Sequence, residues 1–188
     1  SNFNLAKKYF LKAKTRNSRF ILNNYVINSL YNWSNLNSVN FSNATLELQK
    51  LDKRFENLKK IQNVFLNCYY NKSNTNELFF KLSSDTKTDF SRYSYFHASY
   101  AVSSEEVDEA KNIVQSALKL YPRNLLLNQY KIDLNEKNKI DSFNCTNEND
   151  VAAEILYITA NALSSQSIYP LSNFYLNLAK FLNEDFYS

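Results

Sequence analysis

The chain contains no glycine and no methionine, and only one histidine, two prolines and two cysteines in 188 residues. Glycine is the default residue wherever the backbone must take positive φ or come close to a phosphate. Its absence excludes a phosphate-cradling P-loop, the G-x-G-x-x-G turn of dinucleotide sites and the G-x-S-x-G nucleophile elbow, each of which needs glycine at fixed places. Tight two-residue hairpins also lean on glycine, and only Pro122 and Pro170 stand in to help, so a β-rich fold is not expected. Helices joined by Asn- and Ser-rich loops fit instead, because asparagine is the usual substitute for glycine at a helix C-terminus.

The scarcity of histidine removes two-histidine metal sites and leaves His97 as the sole conventional base for a Ser or Cys nucleophile. It lies among Tyr93, Tyr95, Phe96 and Tyr100, which predicts a packed or groove-lining ring rather than a catalytic one. Cys68 and Cys145 are not spaced as metal ligands, and a disulfide between cysteines so far apart cannot be assigned from sequence; two separate buried thiols are expected. The acidic run Glu105, Glu106, Asp108 and Glu109 opens a helix, where negative charge offsets the macrodipole and Ser104 or Ser103 would cap. Asp141, Glu148 and Asp150 are too loosely spaced for a calcium loop, which also needs a glycine. The expectation is a protein without catalytic residues, cofactor or metal.

No run is long and apolar enough to span a bilayer, and no signal-peptide pattern opens the chain. The first residue is Ser1 rather than methionine, so the natural N-terminus is expected elsewhere. A removed export signal would place the protein in a bacterial periplasm or envelope.

What the chain has is aromatic and helical. There are 14 Phe, 14 Tyr and one Trp within a composition that is 44% hydrophobic and 21% charged, close to globular averages. Net charge is +4. The lysines are interspersed with acids, and the densest groups, Lys50-Lys53-Arg54-Lys59-Lys60 and Lys7-Lys8-Lys12-Lys14-Arg16, read as solvated faces of amphipathic helices. A dedicated nucleic-acid binder would show a clustered stripe. Apolar residues recur at helical spacing over about 3–15, 19–32, 41–52, 54–71, 75–83, 88–102, 105–120, 124–135, 149–164 and 168–183. The polar run Asn135–Lys139 predicts a loop after the eighth.

A repeat runs through this train of helices. In 91–124, Ala110, Val114 and Ala117 precede Pro122, and Ala98 sits on the preceding helix. In 153–186, Leu156, Ala160 and Leu163 form one inner face and Ser172, Leu176 and Ala179 the other, with Glu184 where a closing proline would stand. Ala6, Phe10 and Ala13 repeat the small-large-small spacing near the start, and Ala44, Leu48 and Leu51 approximate it. These spacings resemble tetratricopeptide repeats, whose small residues let paired helices approach and whose proline ends the second helix. His97 departs from the family's leucine. The last repeat, with Ala152-Ala153-Glu154 and Phe174-Tyr175-Leu176-Asn177-Leu178-Ala179, also resembles a subgroup found in α-proteobacterial exported or envelope proteins.

The resemblance implies an all-α, right-handed superhelical solenoid of antiparallel helix pairs, one domain over 1–188 cut from a longer chain. It implies a non-catalytic scaffold that binds a protein or peptide on the concave face lined by first helices. Carried onto this sequence, the partner-binding positions are Arg92, Tyr95, Ser99, Glu154, Tyr157 and Asn161. The alternative is an RNA-associated helical-repeat protein, in which aromatics stack on bases and lysines follow phosphates. The chain stops without a polar capping helix, so a continuation or a covering partner is expected at that end.

Overall fold

The computed structural model describes residues 3–15, 20–85, 91–136 and 143–184. Among them are ten α-helices, two 3₁₀ turns and no strand. The helices are α1 (Phe3–Thr15), α2 (Ile21–Trp33), α3 (Phe41–Gln49), α4 (Glu56–Tyr69), α5 (Thr75–Ser83), α6 (Ser91–Ser103), α7 (Val107–Leu120), α8 (Leu125–Glu136), α9 (Glu148–Ser164) and α10 (Tyr169–Leu182). Each matches one expected from periodicity. The clearest boundary difference is α3, which stops at Gln49 because Asp52 starts the 3₁₀ turn Lys53–Phe55, its side chain accepting from the Arg54 N–H at 2.9 Å.

Asparagine does much of the local work that glycine and serine do elsewhere. Asn40 caps α3 by accepting from Asn43 N–H at 2.9 Å, Asn147 caps α9 by accepting from Asn149 N–H at 3.0 Å, and Asn124 accepts from Leu127 N–H at 3.1 Å at the start of α8. Asn71, just past α4, takes positive φ, the conformation expected of an asparagine replacing glycine. Two other residues do the same against expectation. Glu105 (φ 63°) and Ser167 (φ 62°) turn the chain out of α6 and α9, and the next N–H in each case reaches back five residues, Glu106 to Ala101 O at 2.9 Å and Ile168 to Leu163 O at 3.0 Å. The two hairpins α6–α7 and α9–α10 therefore close by the same left-handed turn. Serine capping of α7 is corrected: Glu106 holds the N-cap position, and the Ser103 hydroxyl donates backwards to Tyr100 O at 2.7 Å.

Contacts gather into two compact units, Ser1–Tyr70 with Cys145–Phe186, and Asn71–Asn144 with Tyr187–Ser188. In the first unit α9 packs on α10, as the hairpin reading requires, and also on α2 from the other end of the chain. Stacking of neighbouring repeats alone would not produce that second pairing. Small residues set the approach: Ala160, Ser172 and Ala179 are buried, and the Ser172 hydroxyl donates to Ala160 O at 2.9 Å, which brings α10 against the α9 backbone. Between α2 and α4, Gln62 is fully used. Its Oε1 accepts from Trp33 Nε1–H at 3.1 Å, and its Nε2 donates to the Tyr25 hydroxyl at 3.1 Å and Ser29 Oγ at 2.8 Å. Burial raises the Tyr25 hydroxyl well above the usual tyrosine range.

The same unit contains a disulfide between Cys68 and Cys145, with Cα atoms 6.0 Å apart. The expectation of two separate thiols is corrected. The chain leaves the first unit after α4 and returns before α9, so residues distant in sequence meet at its base. Tyr69 and Tyr70 secure the same place, Tyr69 donating to Asn37 Oδ1 at 2.8 Å and Tyr70 to Val39 O at 2.9 Å, while Asn37 Nδ2 donates to Glu148 at 2.8 Å. Burial, with the Glu148 charge beside it, pushes the Tyr69 hydroxyl up to about 12.

In the second unit α6 packs against α5, α7 and α8. Ala98, Ala110, Val114 and Ala117 are all buried, so the small-residue register joins α6 to α7 as the repeat reading expects. Aromatic rings fill the rest: Tyr95 meets Tyr130 edge-on at 4.8 Å, and Phe96 meets Phe143 edge-on at 4.5 Å. The loop expected at Asn135–Lys139 is corrected at its start, since Asn135 and Glu136 are the last residues of α8, and 137–142 lie outside the described residues.

Candidate functional site

Three of the six expected partner-binding residues lie in each unit. In the second, Tyr95 and Ser99 are buried, at 4% and 0% exposure, and Arg92 is half-buried with its guanidinium 5.4 Å from the Phe96 ring centre. In the first, Glu154 is wholly buried, Tyr157 half-buried and Asn161 exposed. Tyr95, Ser99 and Glu154 therefore sit in packed interior rather than on an open outward face. The reason is that α6 buries every residue from Tyr93 to Ser99 and α9 every residue from Asp150 to Leu156. A helix covered on all sides is a core helix. The signal was in the sequence: neither helix has a continuous charged face, α6 having no Asp, Glu or Lys and α9 no charge after Glu154.

Periodicity read helix by helix does not single out the cavities. In the first unit an apolar cavity of about 270 Å³ opens between α1, α2, α9 and α10, with Phe10, Leu30, Trp33, Leu156, Leu178 and Phe181 on its walls. Trp33 is buried beneath it, whereas Phe181 at the lip is 81% exposed. Leu171, Phe174, Leu178 and Phe181 recur at three- and four-residue steps along α10, and all but the half-buried Leu178 are exposed. One apolar stripe of α10 thus runs into the cavity.

In the second unit a cavity of about 310 Å³ lies between α5, α6 and α7 and is lined in part by His97, Ser94, Ser116 and Glu109. His97 is held firmly. Its ring stacks on Phe79 at 5.7 Å with planes 5° apart, and Nε2 lies 2.7 Å from Asn76 Oδ1. That oxygen only accepts, so Nε2 carries the proton. Burial depresses the imidazole to about 4, keeping the ring neutral near pH 7. The packed-histidine expectation thus agrees with its surroundings. A serine triad would need a hydroxyl donating to the ring and a carboxylate orienting it; among the described residues the ring's one hydrogen-bond partner is Asn76.

Among the described residues no helix is long and apolar enough to cross a membrane. Among the described residues, fold and site together define an all-α protein of packed helices with cavities in each unit. Comparison with protein-family models, curated proteins and solved structures finds no match to the chain.

Proposed function

We propose that the chain is a non-catalytic scaffold of tetratricopeptide-type hairpins that binds a protein partner through an amphipathic helix laid against α10. The observation that carries this reading is the stripe Leu171, Phe174, Leu178 and Phe181 leading into the apolar cavity over Trp33. Apolar side chains at helical spacing beside a preformed apolar recess are what helix-in-groove recognition uses, with one or two anchors supplying most of the energy. The matching small-residue registers and left-handed turns of α6–α7 and α9–α10 support the repeat assignment.

The test uses wild-type protein and Phe181→Asp as baits in extract of the native organism, with quantitative mass spectrometry of what each retains. A direct partner should be lost from the variant and, when purified, should shift the emission of Trp33, the chain's single tryptophan. Equal recovery on both baits would reject the α10 surface. A steep loss of binding with added salt would favour the RNA reading instead.

A further inference from the structure

The α5–α6–α7 cavity has a chemistry of its own, independent of the α10 surface. At its mouth stand two exposed apolar side chains, Phe80 at 63% and Leu120 at 70% exposure; deeper in lie His97 and Ser94, both buried. The exposed lining is mixed, Phe80 and Leu120 standing beside Ser84, Glu109, Asn112 and Ser116, while the buried lining brings the polar groups of His97 and Ser94 beside Ala117. With Nε2 given to Asn76, the remaining polar atom of the neutral His97 ring is Nδ1, an unprotonated acceptor. The lining includes the carboxylate of Glu109 and no lysine or arginine, so nothing there offsets the desolvation of an anion. An ammonium is disfavoured at the floor for the converse reason, because the groups it would meet are neutral and Glu109 is solvent-exposed. What fits is a flat apolar body with one uncharged donor at its tip. At about 310 Å³ the volume sits at the small end of ligand sites.

We infer that the cavity between α5, α6 and α7 is a binding site for a small phenol-type ligand, its ring held between Phe80 and Leu120 and its hydroxyl donating to His97 Nδ1.

Four probes that share one ring and differ in head group test this: p-cresol, toluene, benzoate and benzylamine, titrated by ligand-observed NMR and calorimetry. p-Cresol should bind best, toluene roughly tenfold more weakly for want of one hydrogen bond, and benzoate not measurably. In His97→Phe, which keeps a flat ring over Phe79, the preference for p-cresol over toluene should vanish. Ser116→Trp, at an exposed lining position on α7, should block p-cresol and toluene alike without touching the core, so the proposal stays open to refutation if His97→Phe fails to fold. Equal binding of all four probes, tightest binding of benzylamine, or a p-cresol affinity indifferent to Ser116→Trp would each overturn it.

Discussion

Cys68 and Cys145 are joined across 77 residues of chain, and the loop they close contains the Asn71–Asn144 segment of the second unit. The first unit is thus stapled where its two chain segments meet, beside the Tyr69–Asn37–Glu148 hydrogen bonds. Closing a loop of this length removes much of the unfolded chain's freedom, about 4 kcal/mol in the entropic account. Reduction, or Cys68→Ser, should lower the urea midpoint of the transition reported by Trp33, and the unfolding free energy obtained from it by up to that amount. An unchanged midpoint would show that the bridge constrains nothing. Because such bonds persist in oxidising compartments, both thiols should resist alkylation in protein taken directly from native cells.

Glu105 and Ser167 hold left-handed backbone at about φ 60°, a region that costs an L-residue with a Cβ roughly 1–2 kcal/mol. Glycine relieves that strain but adds freedom to the unfolded chain. Glu105→Gly and Ser167→Gly should each stabilise by a net 0.5 kcal/mol or so, and the two should add, since they lie in different units. Chemical denaturation of the single and double variants checks both claims.

His97 ties stability to pH. Its pKa is depressed in the folded state to about 4 from an ordinary value of 6.5, so the unfolded chain binds more protons between those values. The contribution of neutral His97 is complete above pH 6.5, declines as pH falls through this window and levels off below about 4. Its size is on the order of 3 kcal/mol. Carboxylates titrate at the lower end of the same window, so the measurement is the difference in stability between wild type and His97→Gln at pH 7 and pH 4.5. The gap should narrow on acidification; a constant gap would show that the histidine is not the group responsible.

Ala98 and Ala160 are both fully buried, in α6 and α9 respectively. Ala160 has the Ser172 hydroxyl on its own carbonyl at 2.9 Å, leaving no room for a longer side chain. Ala160→Leu and Ala98→Leu should destabilise by roughly 1–3 kcal/mol through overpacking, whereas Ala162→Leu, at a partly exposed position on α9, should be nearly neutral. Thermal melts of the three variants rank them, and a reversed order would remove the small-residue account of helix pairing.

The ten described helices and the small-residue registers of two hairpins were legible in the sequence because each depends on residues a few positions apart, whereas the serine cap expected before α7 did not form. Apolar spacing sets a helix face, asparagine caps a nearby N–H, and alanines at 98, 110 and 117 make a close crossing possible wherever their helices meet. Tertiary structure alone decided which cysteines meet, that α2 joins α9, and that the chain divides into two units. It also decided that Phe174 and Phe181 face solvent, whereas the interior placing of Tyr95, Ser99 and Glu154 had a signal in the sequence, the lack of a continuous charged face on α6 and α9. Those outcomes depend on loops closing over tens of residues, and local periodicity has no term for the partner that arrives from the far end of the chain. The cavities follow the same rule, since each is a space left between helices rather than a property of any one of them.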